Sequence, residues 1–302
     1  VFFSSGVVVQ RTGVFGNFFI PKLNELFDYS KNYYKGFFAR GENITIDIEY
    51  EDYQKLAYKR KIALNKQKLV TAKDDYVSAK IRYKDKYVKV KLRLKGDNLD
   101  HLEGEKWSFR IKVSGDNTIF GMKIFSIQHP RTRNYIYEWI FHQALKGEGI
   151  LSLRYKFINV TLNGEDLGIY ALEEHFDKRL IEYNKSREGP IVKFNENLYW
   201  DEKLQQEIPF NNGRSVKTSE SINRNGSGEY LSSDITAFQT RKWLSDSTKY
   251  MYHKAVQLLE SFRRGELKTS EVFDAHKLAI YLALTDLMGA HHSPYWNNQR
   301  FY

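Results

Sequence analysis

The chain contains no cysteine. That excludes disulfides, thiolate zinc sites and thiol nucleophiles together. The phosphate-cradling loops are missing as well. There is no GxxxxGK[ST] and no GxGxxG between a strand and a helix. HExxH is absent, and no serine sits in a GxSxG elbow. No apolar run reaches the roughly 18–20 residues that span a bilayer, because Gln10 and Arg11 interrupt the apolar opening VFFSSGVVVQRTGVFGNFFI. Zinc-finger spacing, a single-strand-binding signature and a long basic tail are all lacking, so nucleic acid is disfavoured as a partner. There is no internal repeat.

What is present is basic and aromatic. The 302 residues carry a net charge of +10, with 21 Tyr and 20 Phe. The length suits one large domain or two small ones. The charge predicts anionic partners, and the aromatic content favours substantial sheet.

Periodicity divides the chain. Residues 1–40 have no clean period and read as an N-terminal arm, membrane-proximal if an anchor lies upstream; residues 41–302 read as the folded domain. Ile44, Ile46 and Ile48 alternate with polar residues as in a strand. Tyr53–Leu64 has helical spacing. In AKIRYKDKYVKVKLRLKG, Val88, Val90, Leu92 and Leu94 alternate with Lys89, Lys91, Arg93 and Lys95, giving one apolar and one basic face. The alternation is expected again from Lys106 to Val113, after a polar loop over 96–104, and a strand is expected from Met122 to Ile127. Helical spacing covers Arg133–Lys146. Asn163-Gly164, between Tyr155–Leu162 and Gly168–Leu172, is a hairpin signal. A short helix (176–183) and a strand (190–194) follow. The Asn-, Gly- and Ser-rich stretch 211–233 reads as a long loop, and helices are expected over 247–262 and 275–289. A sheet-rich first part and a helical end make the fold class α+β.

Residue pattern alone leaves the basic strand face open between a phosphate grip and a solvated edge. His101, His129, His142, His175, His253 and His276 are scattered and read as packing or surface residues rather than ligands.

Five segments, in order from Asp75 to Tyr302, carry a resemblance: LRLKGDNLDHLEGEKWSFRIKV, HPRTRNYIYEWIFHQALKGEGI, RYKFINVTLNGEDLGIYALEEHFDKRLIE, REGPIVKF and LAIYLALTDLMGAHHSPYWNNQRFY. The third, an Asn-Gly hairpin followed by Gly-x-Tyr, Glu and a helix, is the most specific. Together they resemble the spore-coat protein H (CotH) kinase family. The resemblance implies an atypical protein-kinase-like fold and transfer of the γ-phosphoryl group of ATP to protein hydroxyls with Mg²⁺ or Mn²⁺. It implies that Lys106 and Arg110 face the phosphates, with Lys95 beside the loop. Glu174 would orient a lysine or help hold metal, Lys193 would reach nucleotide, and Asn298 would bind metal. His292 stands where the family places a catalytic Asp. Three readings stay open: His292 is the base, Asp286 substitutes for it, or the domain is an inactive binding scaffold for an acidic partner in a coat or envelope. The family's further metal-binding Asp is expected in a strand beyond residue 302. A cell-surface or membrane-anchored location, outside the cytoplasm, is the expectation.

Overall fold

In the computed structural model, the described residues are 41–96, 99–197 and 227–302, with a few positions between 28 and 35. Residues 43–302 form one compact unit. Most of the expected arm and the expected loop over 211–226 lie outside the described residues.

In chain order the first part is β1 (Asn43–Ile48), α1 (Tyr50–Asn65), β2 (Val77–Tyr83), β3 (Lys86–Leu94), β4 (Phe109–Val113), β5 (Ile124–Gln128), α2 (Tyr137–Gly147), β6 (Tyr155–Leu162) and β7 (Glu165–Glu174). The second part is α3 (Lys178–Tyr183), β8 (Val192–Phe194), α4 (Ser227–Ser232), β9 (Ile235–Ala237), α5 (Thr240–Trp243), α6 (Lys249–Arg263), α7 (Thr269–Val272) and α8 (Ala275–Leu287). The mixed α and β content with a sheet-rich first part is as the periodicity predicts. The sheet, however, is not open. Its seven strands close into a barrel in the order β1-β2-β3-β4-β5-β7-β6. The closing pair is parallel, β1 on β6, with Ile44 opposite Val160 and Ile46 opposite Leu162.

Alternation explains the barrel. Ile44, Ile46, Ile81, Val90, Leu92, Ile111, Phe125, Ile127, Val160 and Leu172 belong to one buried cluster, while their strand neighbours face outward. Leu56 and Ala63 of α1 join the same cluster. The β2–β3 hairpin turns on Lys84 and Asp85, both at positive φ (48° and 60°), as a two-residue turn matched to strand twist requires. In the β6–β7 turn, Asn163 also donates its N–H to Ile46 O (2.9 Å) and accepts from Ile48 N on Oδ1 (2.8 Å). The turn therefore fastens β1 as well.

Several expected boundaries shift. The helix expected from Arg133 begins at Tyr137. A 3₁₀ turn, Pro130–Arg133, precedes it, and Asn134 and Tyr135 are left-handed. This left-handed pair breaks the helical run. The strand expected from Lys106 begins at Phe109, because Trp107 leaves the ladder to stack on Tyr53 (5.6 Å). The end of the expected 211–233 loop is the helix α4.

The helical part has its own core of Val192, Phe194, Ile235, Ala237, Trp243 and Leu259. β8 pairs with β9, and Phe301 bridges to Val192. No helix among the described residues is long and apolar enough to cross a membrane.

Candidate functional site

The outer face of β3, β4, β5 and β7 gathers the charged residues. Arg93 lies opposite Arg110, Arg110 opposite Ser126, and Ser126 opposite Glu173. Lys95 follows β3, its N–H held by Ser108 O (2.8 Å). Its Nζ donates to Glu173 Oε2 (2.7 Å) and to Gln128 Oε1 (2.9 Å). Gln128 Nε2 in turn donates to Glu173 Oε2 (3.3 Å). The side chains of Lys95 and Glu173 are only 12% and 20% exposed. Arg110 donates to His175 Nδ1.

Electrostatics bind these groups together. Burial acts to raise the Glu173 carboxyl, but Lys95 and Arg133 outweigh it and hold it below the usual carboxylate range. Burial lowers the Lys95 amine; Glu173 opposes this, and Arg110 and Arg133 add to it. Burial, then Arg110, drives His175 well below its ordinary value, so its ring is neutral and can accept from the guanidinium. His101, hydrogen-bonded to Ser108 (3.0 Å), is lowered to about 4 by burial, then by Lys95 and Arg133. Lys95, Arg110 and Arg133 thus all act on Glu173.

The basic strand face runs toward this spot. Lys80 lies opposite Lys89; Lys91 lies opposite Lys112, and Arg93 opposite Arg110. Like charges directly across a ladder cost stability, so this face is arranged against its own repulsion.

Other predicted residues fall elsewhere. Glu174 is turned from Lys95 by the strand's two-residue period. It is 2% exposed and paired with Arg154, accepting from Nε (2.9 Å). The carboxylate that orients a lysine is therefore Glu173, not Glu174. Lys106 lies outside β4 and donates to Ile169 O (3.3 Å). Lys193 pairs with Glu196 (2.6 Å). Asp286 and His292 are exposed. Asn298 uses its Nδ2 to hold His292 O (2.9 Å). Among the described residues, no hydrogen bond, ion pair or ring contact is found that joins Asp286, His292 or Asn298 to the Lys95–Glu173 pair.

Sequence reasoning missed Glu173, Gln128, Arg133, His175 and Phe238. Phe238 lies edge-on to His175 (5.3 Å) and under Arg300 (5.7 Å), so it stands between the barrel's charged group and a second one, where Glu196 lies 4.0 Å from Arg300. Alternation in ALEEHF sends Glu173 and Glu174 to opposite faces, but it does not say which face meets Lys95. Two cavities are evident, and neither is lined by Lys95, Lys106, Arg110, Glu174, Lys193 or Asn298.

A divalent cation beside ATP needs oxygen ligands, usually carboxylates. Among the described residues, no group of three His, Asp or Glu side chains could hold a metal ion.

The family model for the CotH kinase protein matches residues 92–302. The chain belongs to the CotH kinase family. The match begins within β3, later than the Asp75 suggested by the sequence resemblance, and takes in the Lys95–Glu173 pair, the β6–β7 hairpin and the helical part. No curated protein matches this chain. In this CotH kinase domain the charged group sits on the barrel face, while the residues expected to do chemistry sit on the end of α8 and the loop after it.

Proposed function

We propose that this CotH kinase domain is an ATP-dependent phosphotransferase of atypical protein-kinase-like design, acting on protein hydroxyls. The observation that carries the reading is the largely but not fully buried Lys95–Glu173 pair with Arg110 and Arg133 acting on it. Phosphoryl transfer mostly requires positive charge placed around the phosphates and a positioned hydroxyl. Lys95, held by Glu173 and Gln128, is a fixed cation of that kind. Arg110, braced by neutral His175, is a second. Together with Arg133 they place positive charge around Glu173, a setting that suits the phosphates of a nucleotide.

A second reading has its own support. His292 and Asp286 are exposed, and neither contacts the charged group. A domain that binds nucleotide or an acidic partner without turnover has that arrangement.

The test is thermal unfolding of the chain with and without ATP, repeated with Mg²⁺ and with Mn²⁺, followed by transfer of labelled γ-phosphate to a protein acceptor. ATP at a hundred times its Kd stabilises by about 2.7 kcal/mol. Lys95→Met should lose the shift. No shift under any condition defeats the nucleotide reading. A shift without label transfer moves the conclusion to the binding domain.

A further inference from the structure

The larger of the two cavities, of about 290 Å³, lies between β6, α2 and the end of α3. Its volume is near the lower end for small-molecule sites. Lys146, Arg154 and Lys156 line it with His142, and among the described residues no Asp or Glu does. The other cavity, of about 90 Å³, has Asp177, Glu182 and Glu188 in its wall. A cation-only lining is thus a property of this cavity and not of every concave surface on a basic chain.

Each cation lies over a ring. The Arg154 guanidinium is 4.5 Å from the centre of Tyr183, Lys146 is 6.0 Å from the same ring, and Lys156 is 3.5 Å from Phe120. Glu174 is fully committed to Arg154 behind the wall. Lys146 has no ion-pair partner among the described residues.

The second observation is His142. Its side chain is 8% exposed, and neither ring nitrogen makes a hydrogen bond. Glu138 Oε1 approaches Nε2 at 3.3 Å without hydrogen-bond geometry. The ring stacks on Tyr155 (5.7 Å) and lines the cavity. Burying polar nitrogens without partners costs free energy, and an acceptor placed in the cavity would recover it.

We propose that this cavity is a second anion site, separate from the Lys95 group, for a phosphomonoester carried on a flat ring. The phosphoryl group would lie against Lys146 and the His142 ring. The flat body would lie against Phe120 and Tyr183, where cation and ring faces already alternate. An aryl phosphate, free or borne on a phosphorylated tyrosine, has this chemistry.

The test is calorimetric titration of the full chain with phenyl phosphate, inorganic phosphate and phenol, together with NMR of the histidine rings. Phenyl phosphate should bind saturably and on the order of tenfold tighter than inorganic phosphate, while phenol should not bind. Lys146→Glu, an exposed substitution, should weaken phenyl phosphate at least about tenfold. Lys95→Met should leave it unchanged. The ring resonance that disappears in His142→Gln should shift on titration. A phosphotyrosine peptide that binds tighter than the free amino acid assigns the site to a protein ligand; equal affinity assigns it to a small one. The proposal is overturned if Lys146→Glu binds like the parent, if phenyl and inorganic phosphate bind equally, or if only Lys95→Met abolishes binding.

Discussion

Replacing Glu173 by Gln removes a carboxylate on which Lys95, Arg110 and Arg133 all act. The magnitude follows from the geometry. At 2.7 Å, and with an effective dielectric near 20, the attraction to Lys95 alone is about 6 kcal/mol before desolvation. Most of that offsets the cost of burying both groups. Truncating one partner leaves the other charge uncompensated, which costs about 3–5 kcal/mol for a buried pair. Lys95→Met is not the mirror image. Glu173 keeps Arg133 and Arg110 as favourable neighbours, so the loss should be nearer 1–3 kcal/mol, roughly that of an unmet hydrogen bond. The double substitution should recover part of the loss, with an interaction of about 2 kcal/mol in the cycle. Urea unfolding of the four proteins at pH 7 measures all of this, provided the slopes agree. Added phosphate should raise the midpoint of Glu173→Gln more than that of the parent, since the anion replaces the missing charge. If Lys95→Met proves costlier than Glu173→Gln, the claim that Arg110 and Arg133 also act on Glu173 is wrong, and the phosphate-binding reading loses its basis.

Three further outcomes are expected. His101 is lowered to about 4 when folded against an ordinary 6.5, so between these values the unfolded chain binds the extra proton; stability should fall as pH drops from 6.5 to 4, by about 3 kcal/mol from this group, and His101→Asn should flatten that part of a urea-derived stability profile. Gly96 has φ +116°, and a Cβ there would lie 2.4 Å from His101 Cβ, so Gly96→Ala should destabilise by at least about 1–3 kcal/mol from backbone strain alone, measured by the same unfolding; an unchanged midpoint would contradict the close packing. Lys91→Glu turns the repulsion with Lys112 into attraction and should stabilise by about 0.2–1 kcal/mol, seen as a small rise in Tm that high salt removes.

The sequence by itself determined every barrel strand to within a few residues, because alternation is a local property and one apolar face had to be buried. It determined the Asn163-Gly164 hairpin, because positive φ is readable from the residues. The family was legible in five ordered segments, and Lys95 and Arg110 were legible as members of a basic strand face. Only the tertiary structure decided that the sheet closes, since β1 meets β6 across more than a hundred residues of chain. Only it decided which of two adjacent glutamates meets Lys95, because a strand sends neighbours to opposite faces and the sequence does not say which face the lysine shares. His142 looked like a packing residue from its place on a helix. Its buried nitrogens, which make no hydrogen bond, became visible only once β6 and α3 walled in the cavity beside it. Pattern reports how each segment divides its faces; which faces meet is fixed by contacts between segments far apart in the chain.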